Sequence, residues 1–170
     1  MAVNIKFAKV RPDAIIPSKR DEDMGYDIYA CFDEDYIVIN PHETKLIPTG
    51  IASACDPGYG FLLFERGSTG SKGIARRCGV IDSGYRNEWF VGLTNTTNKV
   101  MFISKLSEEE TYNMYYDKIM PESFVYPYSK AIVQAIVTQV LETNEEELTY
   151  EDLKAIPSER GFGKLGSSNK

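Results

Sequence analysis

The sequence has one histidine, His42, and three cysteines, Cys31, Cys55 and Cys78, among 170 residues. A lone histidine cannot build a His-based zinc site. With Asn40-Pro41 before it, His42 reads as a loop residue. The cysteines are odd in number and widely spaced, which gives neither a disulfide framework nor a CxxC metal pattern; they fit reduced thiols. No Ser-His or Cys-His pair stands out for covalent catalysis. No apolar run approaches the roughly 18 residues of a membrane span. The N-terminal stretch MAVNIKFAKV alternates instead of forming a signal-peptide core, so the expected location is cytoplasmic. Positive charge is also in deficit: 19 Lys and Arg stand against 25 Asp and Glu, a net charge of −6. Neither a nucleic-acid polymer nor an anionic membrane is an expected partner of such a chain. Any phosphate must be gripped by a local cluster.

What is present is ordinary globular material, 42% hydrophobic and 26% charged, in a length that suits one domain with a real core. Thirteen Gly, eight Pro and eleven Tyr lean toward β structure with many turns. Residues 3–7 and 36–39 alternate with period two. Residues 61–64, 89–93, 100–103 and 131–141 are rich in β-branched and aromatic residues. Turn signals separate them at Asn40-Pro41, Asp56-Pro57-Gly58, residues 67–73 and Ser83-Gly84. The pattern predicts an all-β chain, an antiparallel barrel or jelly roll spanning residues 1–141. Two helices interrupt it. Ser107-Glu108-Glu109-Glu110 is a capping box opening a helix to about Met120, and Thr149-x-x-Asp152 caps a short helix that Pro157 stops. Residues 142–159 form an acidic linker, and residues 160–170 a glycine-rich arm.

Three Gly/Ser-rich stretches each carry a basic residue. In Arg66-Gly67-Ser68-Thr69-Gly70-Ser71-Lys72-Gly73 the glycines allow backbone N–H groups to converge on an anion. A P-loop is excluded because GxxxxGK[ST] is absent, and a plain surface turn fits as well. In Gly79-Val80-Ile81-Asp82-Ser83-Gly84-Tyr85-Arg86, Asp82 is either a general base or a turn-initiating carboxylate. The third stretch is the arm itself, which alone also reads as a plain terminus.

Taken in order, these stretches make the chain similar to the trimeric dUTP nucleotidohydrolases, the dUTPases. Met24-Gly25-Tyr26-Asp27-Ile28-Tyr29-Ala30 matches the first family motif, and Arg66 to Gly73 resembles the second. Gly79 to Arg86 is the most specific match, to GVIDxDYRG. Ile132-Val133-Gln134 resembles the fourth motif, and residues 158–168 the glycine-rich fifth. The resemblance implies a β jelly roll, a homotrimer with sites at subunit boundaries, and hydrolysis of dUTP to dUMP and pyrophosphate with Mg²⁺ on the triphosphate. It assigns Asp82 to water activation and Tyr85 to packing under the deoxyribose. A Gly79–Ile81 hairpin would read uracil through its backbone. Arg66, Gly67, Ser68 and Gln134 would hold phosphates, with Asp27 a supporting carboxylate near the metal-bound phosphates. Arg160, Ser167 and Ser168 would close over the outer phosphates from another subunit.

The departures are specific. Gly67 stands where Ser is usual, so Ser68 or Thr69 must supply the hydroxyl. Gly84 replaces an Asp, and Ala131 an Arg. In an ungapped register Leu165 takes the place of the aromatic that covers uracil, and Phe162 takes it only in a shifted one. The segment of residues 98–129 is longer than the family pattern. Its Tyr112, Tyr115, Tyr116 and Ile119 share one helical face, which either packs on the barrel or docks a protein partner. Two other readings stand beside the hydrolase. One is a dCTP deaminase-like enzyme, which needs a Glu where Gly92 lies; the other is a nucleotide-gated regulatory protein.

The net charge is unevenly placed. Residues 142–159 hold seven acids and one base, equal to the whole chain's −6, while residues 65–88 are net +2 and the arm +3.

Overall fold

The computed structural model describes residues 2–115 and 122–163. The chain divides into two units, Met1–Val140 and Leu141–Lys170.

The first unit is a barrel of twelve short strands: β1 (Ile5–Lys9), β2 (Tyr26–Ile28), β3 (Tyr36–Ile39), β4 (Thr44–Pro48), β5 (Ile51–Cys55), β6 (Tyr59–Phe64), β7 (Ile74–Arg77), β8 (Val80–Asp82), β9 (Phe90–Asn95), β10 (Val100–Ser104), β11 (Ser123–Pro127) and β12 (Val133–Gln139). They form sheets in the orders β1-β5, β11-β10-β3, β2-β12-β6-β8 and β4-β9-β7. The expected β character holds, and all pairings are antiparallel except β10 with β11. A parallel neighbour needs a long crossover, and the inserted segment between Ser104 and Ser123 supplies it. Inward residues of alternating strands, among them Ile28, Phe61, Leu63, Val91, Leu93, Met101, Val133 and Ala135, make the core. Trp89 is fully buried, with ring centroids of Phe61 and Phe7 at 5.0 and 6.0 Å.

The insertion carries α2 (Glu108–Tyr115). Its capping box is formed: the Glu110 N–H donates to Ser107 Oγ at 3.2 Å, and the Ser107 N–H donates to Glu110 Oε2 at 2.9 Å. Thr111 is buried and shares a hydrogen bond of 2.8 Å with Ser104. The rings of Tyr115 and Tyr112 lie 5.1 and 6.4 Å from Phe102, and Tyr115 also meets Tyr36 edge-on at 6.3 Å. These two tyrosines, each half-buried, therefore pack on the chain's own barrel. Tyr116 and Ile119 lie outside the described residues.

The second unit holds α3 (Tyr150–Ala155), capped by Thr149 Oγ1 accepting from the Asp152 N–H at 3.1 Å. Among the described residues no helix is long and apolar enough to cross a membrane.

Candidate active site

The sheet β2-β12-β6-β8 carries Asp27, Gln134 and Asp82, and strand register explains their places. Asp27 on β2 lies opposite Gln134 on β12, and Gln134 lies opposite Phe64 on β6. Period two then turns Asp27 and Gln134 outward while Ile28, Val133 and Ala135 are buried. Where β6 ends, Glu65 and Arg66 leave the sheet beside them. The next residues form the one-turn helix α1 (Gly67–Gly70).

Arg66 is fixed by Asp27. Its Nε lies 2.8 Å from Oδ1 and its Nη2 3.2 Å from Oδ2, with both side chains about one-third exposed. A two-point Arg–carboxylate contact holds the guanidinium plane and leaves its remaining edge for an anion. Nη1 also reaches Ser68 Oγ and the Ala131 carbonyl, each at 3.4 Å. Gln134 donates from Nε2 to the Glu65 carbonyl at 2.9 Å. This approach depends on Gly25, where an added Cβ would lie 2.8 Å from Gln134 Oε1. Together Asp27, Arg66, Gly67, Ser68 and Gln134 line a polar cavity of about 860 Å³, joined by Lys19 and Arg20 from the preceding loop. Those two cations carry no motif signal, and only their place in the fold reveals them.

Thr69 is corrected by the structure. It is buried, and its hydroxyl accepts from the Arg66 N–H at 2.9 Å and donates to the Arg66 carbonyl at 3.0 Å. It caps α1, and Ser68 is the hydroxyl that lines the cavity.

Asp82 sits elsewhere. It lies on β8, opposite Gly60 of β6, and is exposed in a groove with Leu46, Cys78, Val80, Ile81, Tyr85 and Phe90. Gly60 and Phe64 are four steps apart on one strand, so the Asp82 and Gln134 positions are separated by about 13 Å along the strand direction. One chain thus presents two half-sites. The turn after Asp82 is closed by the Tyr85 N–H donating to the Asp82 carbonyl at 3.1 Å. Arg86 holds it from below, donating to the carbonyls of Ser53, Ser83 and Tyr85. The Tyr85 hydroxyl donates to the Glu88 carbonyl at 3.1 Å, which sets the ring across the groove.

The expected hairpin at Gly79–Ile81 is built differently. β8 pairs with β6, and the preceding β7 belongs to another sheet, with β9. The link Cys78–Gly79 crosses between sheets, with Cys78 in the left-handed region at φ 56°. The Ile81 side chain is buried, and the Gly79 carbonyl accepts from the Leu63 N–H of β6 at 2.7 Å. β8 is the edge strand of its sheet, and one row of its backbone donors and acceptors is left without a strand partner.

Of the arm residues, Arg160 and Phe162 fall in the second unit; its Phe162 is exposed, and Arg160 Nε donates to the Gly163 carbonyl at 3.3 Å. Leu165, Ser167 and Ser168 lie outside the described residues. Gly92 supplies no carboxylate, and a Cβ there would lie 3.1 Å from the Arg77 Cβ and carbonyl oxygen, a tight approach.

Comparison with known proteins bears on the family and the fold. The dUTPase family profile matches residues 11–107. A deoxyuridine 5'-triphosphate nucleotidohydrolase of Nautilia profundicola is 29% identical over 99% of this chain and 100% of its own length. One from Paraburkholderia xenovorans is 30% identical over 86% of this chain and 82% of its own. The dUTPase of Staphylococcus bacteriophage 80alpha, solved with dUPNHPP, superposes with a TM-score of 0.72 at 20% identity, covering 98% of this chain and 99% of that one. It shares the fold.

Proposed function

Because the chain belongs to the dUTPase family, we propose that it hydrolyses dUTP to dUMP and pyrophosphate, using the two half-sites on the outer sheet face. The observation that carries this reading is their pairing: an arginine clamped by a carboxylate in a polar cavity, and an exposed aspartate beside a tyrosine on an edge strand.

In this reading Asp82 takes a proton from the water that attacks a phosphorus atom. Tyr85 packs under the sugar, and the backbone from Gly79 through Ile81 reads the base. Arg66, Ser68 and Gln134 neutralise and orient the phosphates. A positioned base contributes roughly 10²–10⁴-fold; alignment and charge neutralisation supply the remainder. Among the described residues no group of three His, Cys, Asp or Glu side chains could hold a metal ion, and Asp27 is engaged by Arg66. Mg²⁺ would come as part of the metal–triphosphate substrate, where it would offset phosphate charge, with Asp27 the supporting carboxylate. The separation of the half-sites supports a homotrimer in which Asp82 of one copy serves Arg66 and Gln134 of another. Arg160, Phe162, Leu165, Ser167 and Ser168 would supply the lid, and the enzyme would work in the cytoplasm.

The test is pyrophosphate release from dUTP with Mg²⁺. Asp82→Asn is expected to lower kcat by about 10²–10⁴-fold while a non-hydrolysable dUTP analogue still binds. Unchanged turnover in that variant would remove Asp82 from the chemistry, and deamination of dCTP would replace the assignment.

A further inference from the structure

Arg76 belongs to no motif, yet it occupies the junction between the two half-sites. On the edge strand β7 it falls in register with Leu93, and its half-buried side chain reaches across to Phe64 of β6 and to Gly79. There the guanidinium covers Gly79. A Cβ on Gly79 would lie 2.3 Å from Arg76 Nη1 and 2.8 Å from Cζ. The same group stands over the Phe64 ring at 5.6 Å. The Arg76 N–H donates to Glu65 Oε1 at 2.7 Å, and the Glu65 carbonyl accepts from Gln134. Burial alone would raise the Glu65 carboxyl; the Arg76 amide and the Arg76 and Arg77 charges outweigh it and hold it below the usual range.

A contiguous path therefore runs from Gln134 through Glu65 and Arg76 to Gly79. Plain packing does not account for the arginine. Its Nε is buried and finds no acceptor among the described residues, and an aliphatic side chain here would avoid that cost.

We propose that Arg76 is a positioning residue for nucleoside recognition: its guanidinium, packed flat on Gly79, fixes the Cys78–Gly79 crossover and with it the free edge of β8. The proposal rests on the nucleotide reading given above. A lysine cannot replace it, because an ammonium lacks the flat face that fits against a glycine Cα.

The experiment compares dUMP and pyrophosphate binding, and dUTP kinetics, in the full chain and its variants. Arg76→Leu is expected to raise the KM for dUTP and the Kd for dUMP by about tenfold, with kcat and pyrophosphate affinity nearly unchanged. Arg76→Lys should behave like Arg76→Leu. Gly79→Ala should reproduce the effect in the wild-type background and add little to Arg76→Ala, where the space is open. This cycle reads the same contact even if Arg76→Leu folds poorly. Undiminished dUMP binding in Arg76→Leu, full rescue by lysine, or additive effects in the cycle would overturn the proposal alone. Failure of the wild-type chain to bind dUMP would overturn the nucleotide reading and the proposal with it.

Discussion

At the scale of single residues, the phosphate side has its least tolerance at Gly25. A methyl there would meet Gln134 Oε1 at 2.8 Å and its Cβ at 3.0 Å, so the amide must turn away from the cavity. Gly25→Ala is expected to raise the KM for dUTP several-fold, to roughly tenfold, with the fold retained; steady-state kinetics beside a melting curve check it. The motif residues Asp27, Arg66, Ser68 and Gln134 were legible because each lies in a short pattern of fixed spacing. Their geometry was not. The Asp27–Arg66 contact joins positions far apart in sequence through the β2-β12-β6 register, which no local pattern encodes. Thr69 shows the converse: its type suits a phosphate donor, but the start of a one-turn helix claims the same hydroxyl.

Among the elements, α2 was readable from Ser107 and Glu110, since a capping box is a local signal. β11 was not anticipated, because a parallel pairing becomes defined only once the crossover is in place. The aromatic face of α2 left two outcomes open in the sequence, and Tyr112 and Tyr115 both pack against Phe102. Tyr115→Ala should therefore destabilise the barrel by about 2 kcal/mol, since it empties a contact shared by Phe102 and Tyr36. In a chain of this size that corresponds to a melting temperature lower by about 4–8 °C. Thermal denaturation followed by circular dichroism measures it. dUTP turnover at low temperature should be unaffected, because α2 contributes no residue to either half-site.

For the whole molecule, the division into half-sites makes a subunit-mixing experiment decisive. Chains carrying Asp82→Ala and chains carrying Arg66→Ala should each be inactive alone. Refolded together, they should recover a fraction of wild-type pyrophosphate release, because some sites then draw both residues from intact copies. No recovery would mean that each chain works alone. The topology also bears on how the chain reaches its native state. Its pairings join distant segments: Ile5 with Cys55, Asp27 with Gln134, Tyr36 with Ser104. Loop closure must precede each of these contacts, which places folding on a scale of roughly milliseconds to seconds. Throughout that interval apolar strands such as Phe61-Leu62-Leu63-Phe64 are open to other chains. The acidic stretch of residues 142–159 bears its charge from the moment of synthesis, whether or not the barrel has formed. Like charge on these stretches is expected to oppose contact between immature chains, an effect that added salt would weaken.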